Sequence, residues 1–271
     1  MAHWTLDDIG WHKFDRSAVE PEVVKIVKAA CMVEHNGGDY GTYLCNVFDD
    51  DPGFCVAARR WAAEEVQHGQ ALRRWAELAD PDFDFEAAFR RFTDGFRLPL
   101  EARESVRGSR AGELIARCVV EVGTSSYYSA LRDAVREPVL RELCHRIAGD
   151  EFRHYKLFYT HMRRYQEKEG LPLLERLRVA FGRLAESEDD ELAYAYYAAN
   201  GYTESYDRKR FCRAYGRRAL PLYGFGQVER GFRMVLKAVG IKPRGWFGRK
   251  LTALAWRVFR FRRRQLLRAA G

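Results

Sequence analysis

The chain contains no run of about 20 uncharged apolar residues, so no membrane-spanning helix is expected. Its opening stretch, MAHWTLDDIGWHKFD, does not join a basic region to an apolar one. No secretion signal is read there, and the expected location is the cytoplasm. Strand-like alternation of useful length is missing, as is any repeat of 20–50 residues beyond the paired motif described below. No flavin or nicotinamide fingerprint occurs, so redox chemistry would need electrons from outside the chain. The six cysteines (Cys31, Cys45, Cys55, Cys118, Cys144 and Cys212) form no C-x-x-C pair or framework spacing. They read as small core residues in a reducing compartment. Acidic residues are absent between Val239 and Gly271. The 8 prolines are few, and none interrupts the four segments that carry the motifs.

What is present is helical periodicity almost throughout. Long segments are expected over about 21–47, 52–78, 109–135 and 138–168, with a shorter aromatic-rich one near 85–96. Asp51-Pro52 is a good helix start, and Gly170 a good stop. Further segments are read at 172–184, 189–214, 221–238 and 246–267, with Gly201 and Gly216 as weak points. At 271 residues, 47% of them hydrophobic, the chain can fill one large core. The expected organisation is a dimetal four-helix unit over 1–170, added helices over 171–240 and a basic tail over 241–271.

Two Glu-x-x-His pairs stand out: Glu65 with His68, and Glu151 with His154. Each has a lone glutamate upstream, Glu34 and Glu121, at separations of 31 and 30 residues from the motif glutamate. Positions i and i+3 share a helix face, so each pair can reach one ion. Four carboxylates and two imidazoles in this order make a ligand set for two iron or manganese ions inside a ferritin-like four-helix bundle. Glu34 and Glu121, from the remaining helices, are placed to bridge the ions. Four carboxylates buried together would repel without cations, and two divalent ions balance them. A single Glu-x-x-His is a weak signal, often a solvated surface pair. Two copies with matched upstream glutamates in apolar contexts such as Ala-Arg-Cys-Val-Val-Glu121 are much stronger.

The motifs resemble those of the soluble acyl-carrier-protein desaturases of the ferritin-like superfamily. Trp61-Ala-Ala-Glu64-Glu65-Val-Gln-His68-Gly69 looks like that family's W-x-A-E-E-x-x-H-G. The run from Ile147 through Ala148, Gly149, Asp150, Glu151, Phe152 and Arg153 to His154 resembles its I-A-A-D-E-x-R-H. Glu121-Val-Gly-Thr124 matches E-x-x-T, and Cys144 lies seven residues before Glu151 as in the family. The likeness covers about 34–154. It implies bridging roles for Glu34 and Glu121, and terminal ligation by Glu65, His68, Glu151 and His154. It also implies that Asp150 orients a metal-bound histidine on the partner helix, with Glu64 its counterpart in the other half. Trp61 falls where the family places an aromatic linked to electron delivery, and Thr124 where it places a hydroxyl beside the oxygen-binding face. Both have plain structural readings too: core packing for the indole, a back-bond to a helix carbonyl for the hydroxyl. The related N-oxygenases carry E-x28-D-E-x-x-H-Y, which Glu121 to Tyr155 also fits. Their seventh ligand, however, would fall at Ile147, which cannot bind metal.

His35 points about 100° away from Glu34 and is not read as a ligand. His145 falls on a different face from Glu151, and His161 is read as core or near the ligands. The net charge is +8, yet ten basic residues lie between Lys242 and Arg268, so the rest of the chain is close to neutral. In this tail Trp246, Phe247, Leu251, Leu254, Trp256, Val258, Phe259 and Phe261 interleave with arginine and lysine. The tail suits the anionic inner surface of a membrane or an acidic carrier protein.

The expected function is dioxygen-dependent oxidation, as desaturation or hydroxylation of C–H bonds in an acyl or lipid-like substrate, by two iron ions cycling between Fe2+ and Fe3+. Expected partners are that substrate, with or without an acidic carrier protein, a ferredoxin-type electron donor, a membrane surface and a second copy of the chain. Nucleic acid is not expected. The alternatives are a di-iron N-oxygenase, a tRNA hydroxylase, or a ferritin- or rubrerythrin-like protein that handles iron or peroxide.

Overall fold

A computed structural model describes residues 3–186 and 191–268. Among them the chain is all-α, with no strand. Four long helices carry the motifs: α1 (Pro21–His35), α3 (Pro52–Ala79), α5 (Arg110–Ala134) and α6 (Pro138–Glu169). Their ends follow local chemistry. The Asp51 carboxylate accepts from the Phe54 amide at 3.0 Å with Pro52 in the first turn of α3. Ser109 accepts from Gly112 at 2.9 Å to start α5. Glu137 accepts from Val139 and Leu140 to start α6, which stops at Gly170 with φ +62°.

The first long segment is not one helix. It breaks at Asn36 into α1 and α2 (Gly37–Val47). Consecutive glycines at 37 and 38 weaken the helix there, and the break lets the Gly37 backbone press on the Glu65 side chain, leaving no room for a Cβ. Later, α7 (Leu173–Glu186), α8 (Glu191–Ala199), α9 (Arg208–Ala219), α10 (Phe225–Ala238) and α11 (Trp246–Arg268) complete the chain, with α4 (Phe85–Gly95) between α3 and α5. The segment expected over 189–214 is interrupted after Ala199, where Gly201 takes φ +65°; its first two positions lie outside the described residues. Gly216 causes no break and lies inside α9, against Leu266.

Helix α5 runs along α6, and α1 along α3, with α3 also meeting α6. Helices α7 and α10 lie on α5, α8 lies on α1 and α4, and α11 lies on α10 and α9. The apolar core is divided in two. One cluster joins Trp75, Tyr128, Leu143 and Phe92, and the other joins Phe54, Trp61, Leu114 and Phe158. The Glu-x-x-His residues occupy the middle of the same helices, between the two clusters. A strap over residues 3–18, with short 3-10 turns between 6 and 18, crosses α3 and α6. It is tied by Gly10 to Glu142 and by Asp15 to Glu137, a buried carboxylate that also accepts from Trp75 at 2.6 Å. All six cysteines are free. No helix among the described residues is long and apolar enough to cross a membrane.

Candidate metal centre

The turns that carry the motifs bring their six side chains into one buried layer. Glu34 comes from α1, Glu65 and His68 from α3, Glu121 from α5, and Glu151 and His154 from α6; all six are buried. They form two groups that can each hold a metal ion. Glu34, Glu65, His68 and Glu151 make one, and Glu65, Glu121, Glu151 and His154 the other. Within each group one ligand atom per residue lies within 4.8 Å of the others.

The residues that the two groups share are not the pair expected to bridge. Glu65 and Glu151 belong to both, whereas Glu34 and Glu121 belong to one each. The shared pair therefore comes from the two Glu-x-x-His helices, not from the lone upstream glutamates. The reason is packing: α3 and α6 meet at the middle of the layer, so their motif glutamates face each other across it, and α1 and α5 supply the outer carboxylates.

Both imidazoles are oriented from behind. His68 Nε2 lies 3.0 Å from Asp150 Oδ2, and His154 Nε2 lies 3.0 Å from Glu64 Oε2. Each carboxylate reaches the histidine of the opposite helix and turns its Nδ1 toward the other carboxylates. His68 Nδ1 is 3.3 Å from Glu151 and 3.6 Å from Glu34; His154 Nδ1 is 2.9 Å from Glu65 and 3.7 Å from Glu121. None of these inward contacts has hydrogen-bond geometry. The buried Nδ1 atoms of both histidines and the Oε1 atoms of Glu65, Glu121 and Glu151 have no hydrogen-bond partner. Buried polar atoms are ordinarily satisfied. Five orphans converging on one layer, all good oxygen or nitrogen donors, fit divalent cations.

The charges are consistent with that fit. Burial, reinforced by Glu65 and Glu151, pushes the Glu34 carboxyl well above the usual range, and burial does the same to Glu121. Burial also opposes ionisation of Glu65 and Glu151, but His154 and His68 outweigh it and hold both low. Burial disfavours the imidazolium forms, yet the surrounding carboxylates raise His68 and His154 well above their ordinary value. Without a metal, then, the layer neutralises itself with protons. Two divalent cations would supply the positive charge that those protons supply.

The remaining candidates are placed as follows. The Thr124 hydroxyl has carbonyl oxygens of Val120 and Glu121 at 3.3 Å, but its nearest acceptor is Glu151 Oε2 at 2.5 Å, which takes its single proton. Trp61 meets His154 edge-on at 6.5 Å and packs on Phe158; its buried Nε1 has no hydrogen-bond partner. Asp150 accepts from Trp4 Nε1 at 2.7 Å and is clamped by Arg153, which also reaches Glu64. A third cluster of His3, Glu64 and Asp150 is crossed by this guanidinium, which already supplies a cation. His35 packs between Phe85 and Phe89, and His161 against Phe54 and Arg164; His145 is exposed. Ile147 is fully buried one turn before Glu151 and offers no donor.

Sequence reasoning passed over two residues. Tyr128 donates to Glu34 Oε1 at 2.6 Å. It lies seven residues after Glu121, so helical spacing could have placed it on the inward face of α5. Trp4 stacks on His68 at 6.0 Å and 7° while bonding Asp150. The indole joined to a ligand through hydrogen bonds is therefore Trp4, from the strap, and no local signal marked it. A groove of about 650 Å3 lies between α2 and α3, lined by Gly41, Asn46, Ala62, Val66 and Gln70 among others; none of the six ligand residues lines it.

A scan against protein-family models finds none that matches this chain, and a search of the curated proteins finds no match either.

Proposed function

We propose that the chain is a ferritin-like dimetal protein whose two ions are iron, and that it oxidises C–H bonds of an acyl or lipid-like substrate with dioxygen. The observation that carries the proposal is the pair of ligand groups sharing Glu65 and Glu151, with orphaned donor atoms converging from four helices. The ligand chemistry suits iron(II) and, with similar donors, manganese. The motif resemblance to the acyl-carrier-protein desaturases points the same way. When bound, two adjacent iron ions would supply the electrons and charge stabilisation for reductive use of dioxygen.

The residues around them have definable tasks in this reading. Asp150 and Glu64 hold the imidazole tautomers, so that Nδ1 would be the atom offered to a metal. Thr124 holds a proton at Glu151 Oε2, and Tyr128 holds one at Glu34 Oε1. Apolar residues on either side of the layer keep bulk water from the carboxylates. Trp4, Asp150 and His68 form a continuous hydrogen-bonded link from the strap to the centre, where an external donor such as a ferredoxin-type protein would deliver electrons. Ile147 disfavours a seven-ligand N-oxygenase site.

The test is anaerobic loading of the purified protein with iron(II), followed by dioxygen, a chemical reductant and a panel of acyl lipids. Oxidised iron absorption and an oxidised acyl product are expected, and Glu121→Ala should abolish product while keeping helical circular dichroism. Product formation by a metal-stripped Glu121→Ala variant would overturn the proposal. Iron taken up well beyond two ions per chain, with no product, would mark a storage protein instead.

A further inference from the structure

In sequence the tail's apolar stripe is imperfect, because Trp256, Val258, Phe259 and Phe261 do not share one helix face. In the structure they separate into two faces of α11. Thr252, Trp256, Phe259 and Leu266 turn inward: Trp256 meets Phe225 at 5.4 Å, Phe259 meets Tyr223 at 5.7 Å, and the Leu266 carbonyl accepts from Arg217 at 3.2 Å. Phe247, Leu254, Val258 and Phe261 turn outward, each more than half exposed. Their spacings of seven, four and three residues put them on a single line along the helix, about 21 Å long at 1.5 Å per residue. Lys250, Arg257, Arg264 and Arg268 are exposed along one side of that line. The only acidic residue from 208 to 268 is Glu229, and α9, on which α11 lies, is itself rich in arginine.

We infer that the outer face of α11 is a docking surface for a bilayer bearing anionic phospholipids. An inward face already satisfied by α10 and α9 leaves the outer apolar line without a folding role. The line is a ridge on a surface helix, and a fluid lipid interface accepts a lone apolar ridge without shape complementarity. The flanking cations match anionic headgroups, and their aliphatic stems extend the apolar strip. The helix would lie in the plane of the interface, with Phe247, Leu254, Val258 and Phe261 in the headgroup–acyl boundary.

Co-sedimentation of the full chain with vesicles tests this, using phosphatidylcholine alone and phosphatidylcholine containing phosphatidylglycerol. Binding to the anionic vesicles should exceed binding to the neutral ones by roughly tenfold and weaken with added salt. The combined variant Phe247→Ser, Leu254→Ser and Phe261→Ser should lower the partition by roughly tenfold or more, since three apolar side chains lose their burial. Arg257→Gln with Arg264→Gln, which leaves the apolar line intact, should reduce the preference for anionic vesicles. A second measurement does not depend on the triple variant folding: the fluorescence difference between wild type and Trp246→Phe should shift to the blue on anionic vesicles. Unchanged binding by a folded triple variant, or capture by polyglutamate as strong as by the vesicles, would replace the membrane with an acidic protein surface. Absence of binding at low salt would overturn the inference outright. Metal content is measured alongside; it should be the same in all variants, so this result and that for the dimetal centre fail separately.

Discussion

At the residue scale, the consequential feature is the asymmetry among four glutamates that look alike in sequence. Glu65 and Glu151 serve both ligand groups, and Glu34 and Glu121 one each. Metal stoichiometry should therefore separate them. Glu34→Ala or Glu121→Ala should leave about one tightly held ion per chain, whereas Glu65→Ala or Glu151→Ala should lose both, because each removes a donor from both groups. Metal analysis after exhaustive dialysis of each variant reads the difference directly. Equal losses for all four would mean the shared pair is misidentified. That these six side chains come together was legible, since i, i+3 spacing on a helix dictates a common face. Which carboxylates the two groups share was not, because it depends on which helices meet at the layer's centre.

At the element scale, close approach between α1 and α3 positions Glu34 beside His68. Gly69 permits it: a Cβ there would sit 2.6 Å from the His35 amide nitrogen and 2.7 Å from its Cα. These are backbone atoms of a packed helix, so they cannot swing aside as a side-chain end would. Gly69→Ala should cost about 1–3 kcal/mol of stability and push α1 outward. Urea denaturation of the metal-free protein would show the loss as a lower midpoint with unchanged slope. The same variant should hold the ion of the Glu34 group more weakly than that of the Glu121 group. A neutral or stabilising effect would mean the interface has slack. Helix ends at Pro52, Ser109, Pro138 and Gly170 were readable from capping chemistry. The break at Asn36 has a local cause in Gly37 and Gly38, which apolar periodicity on either side masks, and the contact of Gly37 with Glu65 adds a tertiary one. Gly216 illustrates the converse, a glycine tolerated inside a helix because Leu266 of α11 packs against it.

At the scale of the whole molecule, the buried layer of carboxylates and imidazoles interrupts the core, so folding is linked to its protonation and to any metal it holds. In the metal-free protein Glu34, Glu121, His68 and His154 all titrate above their ordinary values. The folded state thus binds more protons than the unfolded chain. The stability these groups contribute is present at low pH and is lost as pH rises through their raised values. Glu65 and Glu151 act oppositely, with stability lost as pH falls through their lowered values, on the acid side. The metal-free Tm should therefore decline as pH rises above about 4.5, where unfolded glutamate releases its proton, and more steeply above about 6.5, where unfolded histidine does. Divalent ions replace those protons, so the Tm gain on adding iron(II) or manganese should grow between about pH 6 and pH 8. Scanning calorimetry with chelator and with metal measures both. A metal-induced gain that stays flat or shrinks over this range would argue that the layer is not neutralised by protons.

What the sequence alone determined follows from short-range chemistry. Apolar periodicity specifies helices, and fixed i, i+3 spacing puts each glutamate and histidine on one face. Excess arginine without acid marks the last helix as a charged surface. The tertiary structure decided everything that depends on how helices face one another. It selected Glu65 and Glu151 as the shared carboxylates, made Nδ1 rather than Nε2 the inward nitrogen of both histidines, and brought Trp4 across nearly 150 residues to Asp150. It also sorted the tail aromatics into a packed face and an exposed one. Those outcomes rest on contacts between residues far apart in the chain, and no local pattern encodes them.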